Sequence, residues 1–94
     1  MKNSDVTRRR ISFYGEVQAV GFRYVAREAA LRFGVTGWVR NEYDGSVTME
    51  IQGTPFQISQ VLMAIDRARY IRVERTESRD LAPDENERSF RVRY

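Results

Sequence analysis

Two periodicities alternate along the chain. Ile11, Phe13, Gly15 and Val17 alternate with Ser12, Tyr14 and Glu16, the period of two expected of a strand with one buried face. From Phe22 the period changes. Phe22, Val25, Ala26, Ala29, Ala30 and Phe33 fall at i, i+3, i+4, i+7, i+8 and i+11, a single apolar stripe on a helix that Gly34 is placed to end. Val35 to Glu42 reads as a second strand, with Val35, Gly37, Val39 and Asn41 on one side and Thr36, Trp38, Arg40 and Glu42 on the other. Asp44-Gly45 is a hairpin turn, after which Val47, Met49 and Ile51 alternate with Ser46, Thr48, Glu50 and Gln52 in a third strand. Gly53 ends it. Thr54 as cap, Pro55 at the first helical position and Gln57 completing a capping box then open a second helix, whose inward stripe is Ile58, Val61, Leu62 and Ile65.

Arg67 and Arg69 suit the end of that helix, where the dipole favours cations. Tyr70 to Glu77 follows as a fourth strand with Ile71 and Val73 facing one way. Ser78 to Glu87, with Pro83 amid Asp80, Asp84 and Glu85, reads as a solvated loop, since its acids lack the regular spacing of a metal site. Phe90, Val92 and Tyr94 alternate with Arg91 and Arg93 in a short fifth strand. The order β-α-β-β-α-β predicts a ferredoxin-like α+β sandwich, two helices on one face of a mainly antiparallel sheet. Residues 1–94 read as one domain, with Met1 to Thr7 a polar, flexible tail and Arg8 to Arg10 the solvated start and edge of the first strand.

Composition narrows the chemistry by what it lacks. The 94 residues include no cysteine, which excludes disulfides, a thiolate nucleophile and a thiolate metal site. There is no histidine either, so the commonest general base, a histidine phosphoenzyme and the commonest transition-metal ligand are all missing. A formal charge of +3 favours anionic partners without choosing among them. No apolar run approaches the roughly 20 residues of a membrane span, and no signal peptide follows the basic N-terminal stretch, so a cytoplasmic protein is expected.

The candidate chemistry lies at the switch from the first strand to the first helix. Between Gln18 and Gly21 the chain turns within about four residues, and Arg23 sits in the first helical turn. Such a turn leaves backbone N–H groups of Gln18, Ala19, Val20, Gly21, Phe22 and Arg23 free to converge on an anion, reinforced by the helix dipole and one guanidinium. Many similar turns bind nothing, and this stretch alone leaves both readings open. Asn41, at the end of the second strand, is a second candidate. Taken alone, it reads as an asparagine ordering its own turn.

Taken together, the two stretches carry a resemblance. Gly15-x-Val17-Gln18-x-Val20-Gly21-Phe22-Arg23, followed by Gly37-Trp38-Val39-Arg40-Asn41-x-x-Asp44-Gly45-x-Val47, closely resembles the acylphosphatase family, and element order and length agree from Ile11 to Tyr94. The resemblance implies hydrolysis of acyl phosphates to a carboxylate and inorganic phosphate. It implies phosphate binding by Arg23 with the turn amides, and an attacking water held by Asn41, with no metal, no cofactor and no phosphoenzyme. Its partners would be a small acyl phosphate and inorganic phosphate as competing product, with no nucleic acid, no membrane and a monomeric enzyme. The chemistry suits such a chain. A carboxylate leaving group, with a conjugate acid of pKa about 4, departs without a proton donor, and a loose transition state asks mainly for positioning and electrostatics.

Two positions depart from the family pattern. Ala19 stands where glycine is usual; a negative φ there, which would make the methyl harmless, is the expectation, because Gly21 remains nearer the helix. The usual Gly-Pro between second helix and fourth strand is replaced by Arg67-Ala68-Arg69-Tyr70-Ile71. Two other readings compete. An RRM-type nucleic-acid module shares the element order, and Val20-Gly21-Phe22-Arg23 faintly resembles its glycine-aromatic motif, but the string opens a helix and the third strand offers no stacking aromatics. A non-catalytic domain of the same family is the other, against which stands the retention of Arg23 and Asn41.

Overall fold

The computed structural model describes residues 5–94. The elements are β1 (Thr7–Glu16), α1 (Phe22–Phe33), β2 (Thr36–Asn41), β3 (Val47–Gly53), α2 (Pro55–Asp66), β4 (Arg72–Leu81) and β5 (Phe90–Arg93). One five-stranded sheet runs in the order β4-β1-β3-β2-β5. Its pairs are antiparallel except β2 with β5, which run parallel.

The apolar stripes meet as their periods require. Ile11, Phe13 and Val17 from the first strand and its exit, Val39 from β2, and Val47, Met49 and Ile51 from β3 are buried against Phe22, Ala26, Ala29 and Ala30 of α1 and Ile58, Val61 and Ile65 of α2. The Thr54 hydroxyl accepts the Gln57 N–H at 3.1 Å, and the Gln57 Oε1 accepts the Thr54 N–H at 2.8 Å, closing the capping box. Gln57 also donates through Nε2 to the Phe33 carbonyl at 3.0 Å, so one side chain caps α2 and ties it to the end of α1. Gly37 has φ 143°, and a Cβ there would lie 1.9 Å from the Glu50 carbonyl oxygen, so no side chain fits where β2 crosses β3.

Three expectations change. Thr7 belongs to β1 rather than to a tail; of the expected tail, Met1–Ser4 lie outside the described residues. Arg8 is neither solvated nor on an edge, because β1 is paired on both sides. The residue is 5% exposed, and its guanidinium donates to Glu50 Oε1 at 2.9 Å, Gln52 Oε1 at 3.0 Å and Glu87 Oε1 at 2.8 Å. Buried charge is tolerable only when paired this fully. Finally, β4 starts at Arg72 and continues to Leu81, well into the stretch expected as loop. It pairs with β1 from Arg8↔Leu81 to Glu16↔Arg72, and only the part after it remains a connection. Gln52 exchanges hydrogen bonds with the backbone of Asp84, and Arg8 grips Glu87, so this connection is clamped to the open face before it enters β5.

Candidate active site

Two buried side chains anchor the turn between β1 and α1. Val17 and Phe22 are each 1% exposed, and the Phe22 ring packs 4.8 Å from that of Phe13. Between them Gln18 to Gly21 form an open loop. Gly21, the N-cap of α1, has φ 84° and offers no side-chain cap, and the first turn of the helix contains no acid. The N–H groups at the start of α1 are therefore left for an outside acceptor.

Ala19 corrects the expectation made for it. Its φ is 61°, in the left-handed region, the one such residue besides glycine among the described residues. An alanine there carries strain on the order of 1 kcal/mol. The loop holds the conformation because it is fixed from both ends, and positive φ at residues 19 and 21 curls the backbone into the kind of nest that gathers N–H groups. Val20 packs part-buried against the core beneath it.

The loop is also tied sideways. The Gln18 Nε2 donates to the Glu42 carbonyl at 2.7 Å and to the Ser46 carbonyl at 2.8 Å, spanning both limbs of the β2–β3 hairpin. At the other end of the cradle, Arg23 Nη1 reaches the Arg93 carbonyl at 3.4 Å, and its guanidinium lies 4.8 Å from the Tyr94 ring. Arg93 is the β5 partner of Arg40. Contacts from the turn thus fall on Glu42, which follows Asn41, and on Arg93, which pairs with Arg40 before it, bringing Gln18, Arg23 and Asn41 to one end of the sheet.

Asn41 is half-buried and pairs with Val47 across the hairpin. It does not order the turn. Asp44 does, accepting the Ser46 N–H at 2.9 Å and the Ser46 hydroxyl at 2.6 Å, which hold its carboxyl below the usual range. Among the described residues the Asn41 carboxamide has no hydrogen-bond partner, so it can take an outside one. On the opposite face of β2, a hydrogen bond from Thr48 and then the Arg40 guanidinium, with Nη2 at 3.0 Å, hold the Glu42 carboxyl below its usual range.

The side-chain role of Gln18 escaped sequence reasoning, which counted only its backbone; a glutamine on a loop gives no sign of carbonyls 24 and 28 residues away. The connection Arg67 to Ile71 is a short turn, with the Ile71 N–H on the Ala68 carbonyl at 3.3 Å and the Ile71 side chain in the core. Val20-Gly21-Phe22 opens α1 rather than lying on a strand, unlike an RNA-stacking motif. Among the described residues no group of three or more Asp or Glu side chains forms a cation site, and no helix is long and apolar enough to cross a membrane.

The sequence profile described as Acylphosphatase matches residues 9–92. An acylphosphatase from Oceanobacillus iheyensis is 38% identical over 87 residues, covering 90% of this chain and 96% of the relative. One from Geobacillus thermodenitrificans is 42% identical over 83 residues, covering 85% of this chain and 86% of the relative. The crystal structure of acylphosphatase from Bacillus subtilis superposes with a TM-score of 0.85 at 27% identity, covering 94% of this chain and 99% of that one. A ferredoxin-like sandwich, an uncapped left-handed turn before α1 and a match over nearly the whole length agree, and the chain belongs to the acylphosphatase family, hydrolases of acyl phosphates.

Proposed function

We propose that Arg23 and the backbone N–H groups from Gln18 to Arg23 bind the phosphoryl group of the acyl phosphate, and that Asn41 orients the attacking water. Arg23 supplies a fixed positive charge and the amides supply oriented dipoles, both directed at oxygens whose charge is spread in a loose transition state. The Asn41 carboxamide can accept from and donate to one water, which fixes its approach in line with the departing carboxylate. That carboxylate leaves as a weak base, so no acid catalyst is required and attack is direct, without a covalent intermediate or a metal. Tyr94 and the Arg93 carbonyl restrain the guanidinium, and Gln18 holds the loop against the end of β2. The observation that supports this most is that Gln18 tie, which joins the turn to the residue after Asn41 at 2.7 Å.

The wider reading is one acylphosphatase domain over residues 1–94, acting as a monomer in the cytoplasm on a small acyl phosphate, with no nucleic-acid or membrane partner. The test is hydrolysis of benzoyl phosphate with EDTA present and inorganic phosphate added. Turnover is expected to persist, with phosphate a competitive inhibitor. Turnover that stops on chelation, or inhibition that is not competitive, would refute the proposed mechanism.

A further inference from the structure

Two helices do not cover all five strands, and the strand left bare is β4. Thr76, Ser78 and Asp80 pair with Phe13, Ile11 and Arg9, which places them on the helix side of the sheet, yet all three are exposed. A groove of about 380 Å³ runs there between α2 and β4. Ile11, Phe13 and Val73 form its apolar floor, and Leu62 and Met63 of α2 form its wall. Arg9 and Asp66 line it at opposite ends. Gly53, which leads into α2, pairs with Thr7 beside the Arg9 end, whereas α2 finishes at Asp66. From Arg9 to Phe13 the strand rises by about 13 Å, which sets the length of the trough. None of Gln18, Arg23 and Asn41 lines it.

Arg9 is the one cation lining this groove among the described residues. Its Nε and Nη2 donate to the Ser78 hydroxyl at 3.2 and 2.8 Å, and its Nη1 donates to no described residue. Asp80 stands opposite Arg9 on β4, but the guanidinium turns to Ser78 instead of forming an ion pair with it. The Ser78 hydroxyl accepts from Arg9 and so keeps its own hydrogen to donate. One cationic N–H and one hydroxyl thus stand at the end of an apolar trough, the complement of a carboxylate on a hydrocarbon tail. With Asp80 beside that end and Asp66 at the other, the groove has charge to neutralise one anionic group and not two. We propose that the groove binds an amphipathic monocarboxylate, its head on Arg9 and Ser78 and its tail against Leu62 and Met63. The site is separate from the phosphate cradle and does not depend on the roles given to Arg23 and Asn41.

The test titrates octanoate, octylammonium and octanedioate, each below any micelle-forming concentration, while the methyl NMR signals of Leu62 and Met63 are followed. Octanoate should shift both signals saturably and bind about tenfold more tightly than octylammonium. Octanedioate should bind less well than octanoate, because its second carboxylate meets Asp66. Arg9→Gln should remove the advantage of octanoate over octylammonium, and Arg9→Lys should keep most of it. Met63→Gln, at a side chain on a residue 42% exposed, should weaken all three ligands alike and leave turnover of benzoyl phosphate at the parent rate. Saturating inorganic phosphate should not displace octanoate. The site is overturned if octanoate binds no better than octylammonium, if its advantage survives Arg9→Gln, or if phosphate competes with it, which would put the ligand in the cradle. None of these failures touches the proposed function, which stands or falls on turnover and its inhibition by phosphate.

Discussion

The Gln18 side-chain amide donates 2.7 Å to the carbonyl oxygen of Glu42, across the gap between the β1–α1 turn and the end of β2. With its second bond to the Ser46 carbonyl, it sets the distance between the cradle and Asn41. Gln18→Ala would strand two carbonyls and free the loop. The expected result is a fall in kcat of about ten- to a hundredfold, by analogy with the sensitivity of in-line reactions to small misplacement. Phosphate affinity, which we assign to Arg23 and the amides, should fall less. Gln18→Glu should be at least as damaging, because a carboxylate cannot donate to either carbonyl. Steady-state kinetics with phosphate inhibition would separate the two effects.

Arg23→Ala and Asn41→Ala should fail differently. Without the guanidinium the cradle loses its one full charge, so phosphate inhibition and turnover should both collapse. Without the carboxamide the phosphate site remains, and turnover should drop by a factor of a hundred or more while the inhibition constant for phosphate changes little, the pattern of a lost transition-state contact. If both variants turned over at the parent rate, the proposed roles would be wrong.

Ala19→Gly should stabilise the protein. The left-handed backbone at φ 61° strains alanine and not glycine, and the relief exceeds the greater freedom of glycine in the unfolded chain by up to about 0.5 kcal/mol. Urea denaturation would show a higher midpoint at unchanged slope. An unchanged or lower midpoint would mean that the methyl is favourably packed.

The Arg8 cluster gives an acid dependence. Burial works to raise the Glu50 carboxyl, but hydrogen bonds and charge from Arg8 and Arg10 outweigh it and hold Glu50 below its ordinary value of 4.5. A group depressed in the folded state contributes stability that is fully present above the unfolded value and is lost as pH falls through the folded one. Stability should therefore be level above pH 5 and decline below about 4.5. Glu50→Gln should lessen that decline, to which the depressed Glu42 and Asp44 also contribute, and cost about 2 kcal/mol near neutrality, since Arg8 keeps Glu87 as a partner. Chemical denaturation from pH 3 to 7 would check both.

Much of the fold was legible because apolar periodicity and caps act locally. The stripe from Phe22 to Phe33 and the Thr54–Gln57 box determine their helices within a few residues. What escaped the sequence depends on partners far along the chain. Residues 74–80 of β4 are all exposed, so no hydrophobic alternation marks them; they are strand because the backbone of β1 offers them hydrogen bonds. Arg8 looked solvated because Glu50 and Glu87, which bury it, lie 42 and 79 residues away. Two spaced motifs single out Arg23 and Asn41 as the candidate site residues. The φ of Ala19 is not legible in them, because a methyl in place of a hydrogen records nothing about the conformation the loop demands.

Trp38 is the single tryptophan of the sequence and is 7% exposed, its ring on the open face covered by the guanidiniums of Arg93 at 4.4 Å, Arg40 at 5.0 Å and Arg10 at 5.5 Å. Arg93 is also the residue whose carbonyl Arg23 reaches. The protein therefore carries its own fluorophore three positions from Asn41, in contact with Arg93 itself. Its emission gives a label-free signal for unfolding and for ligand titration on the same sample.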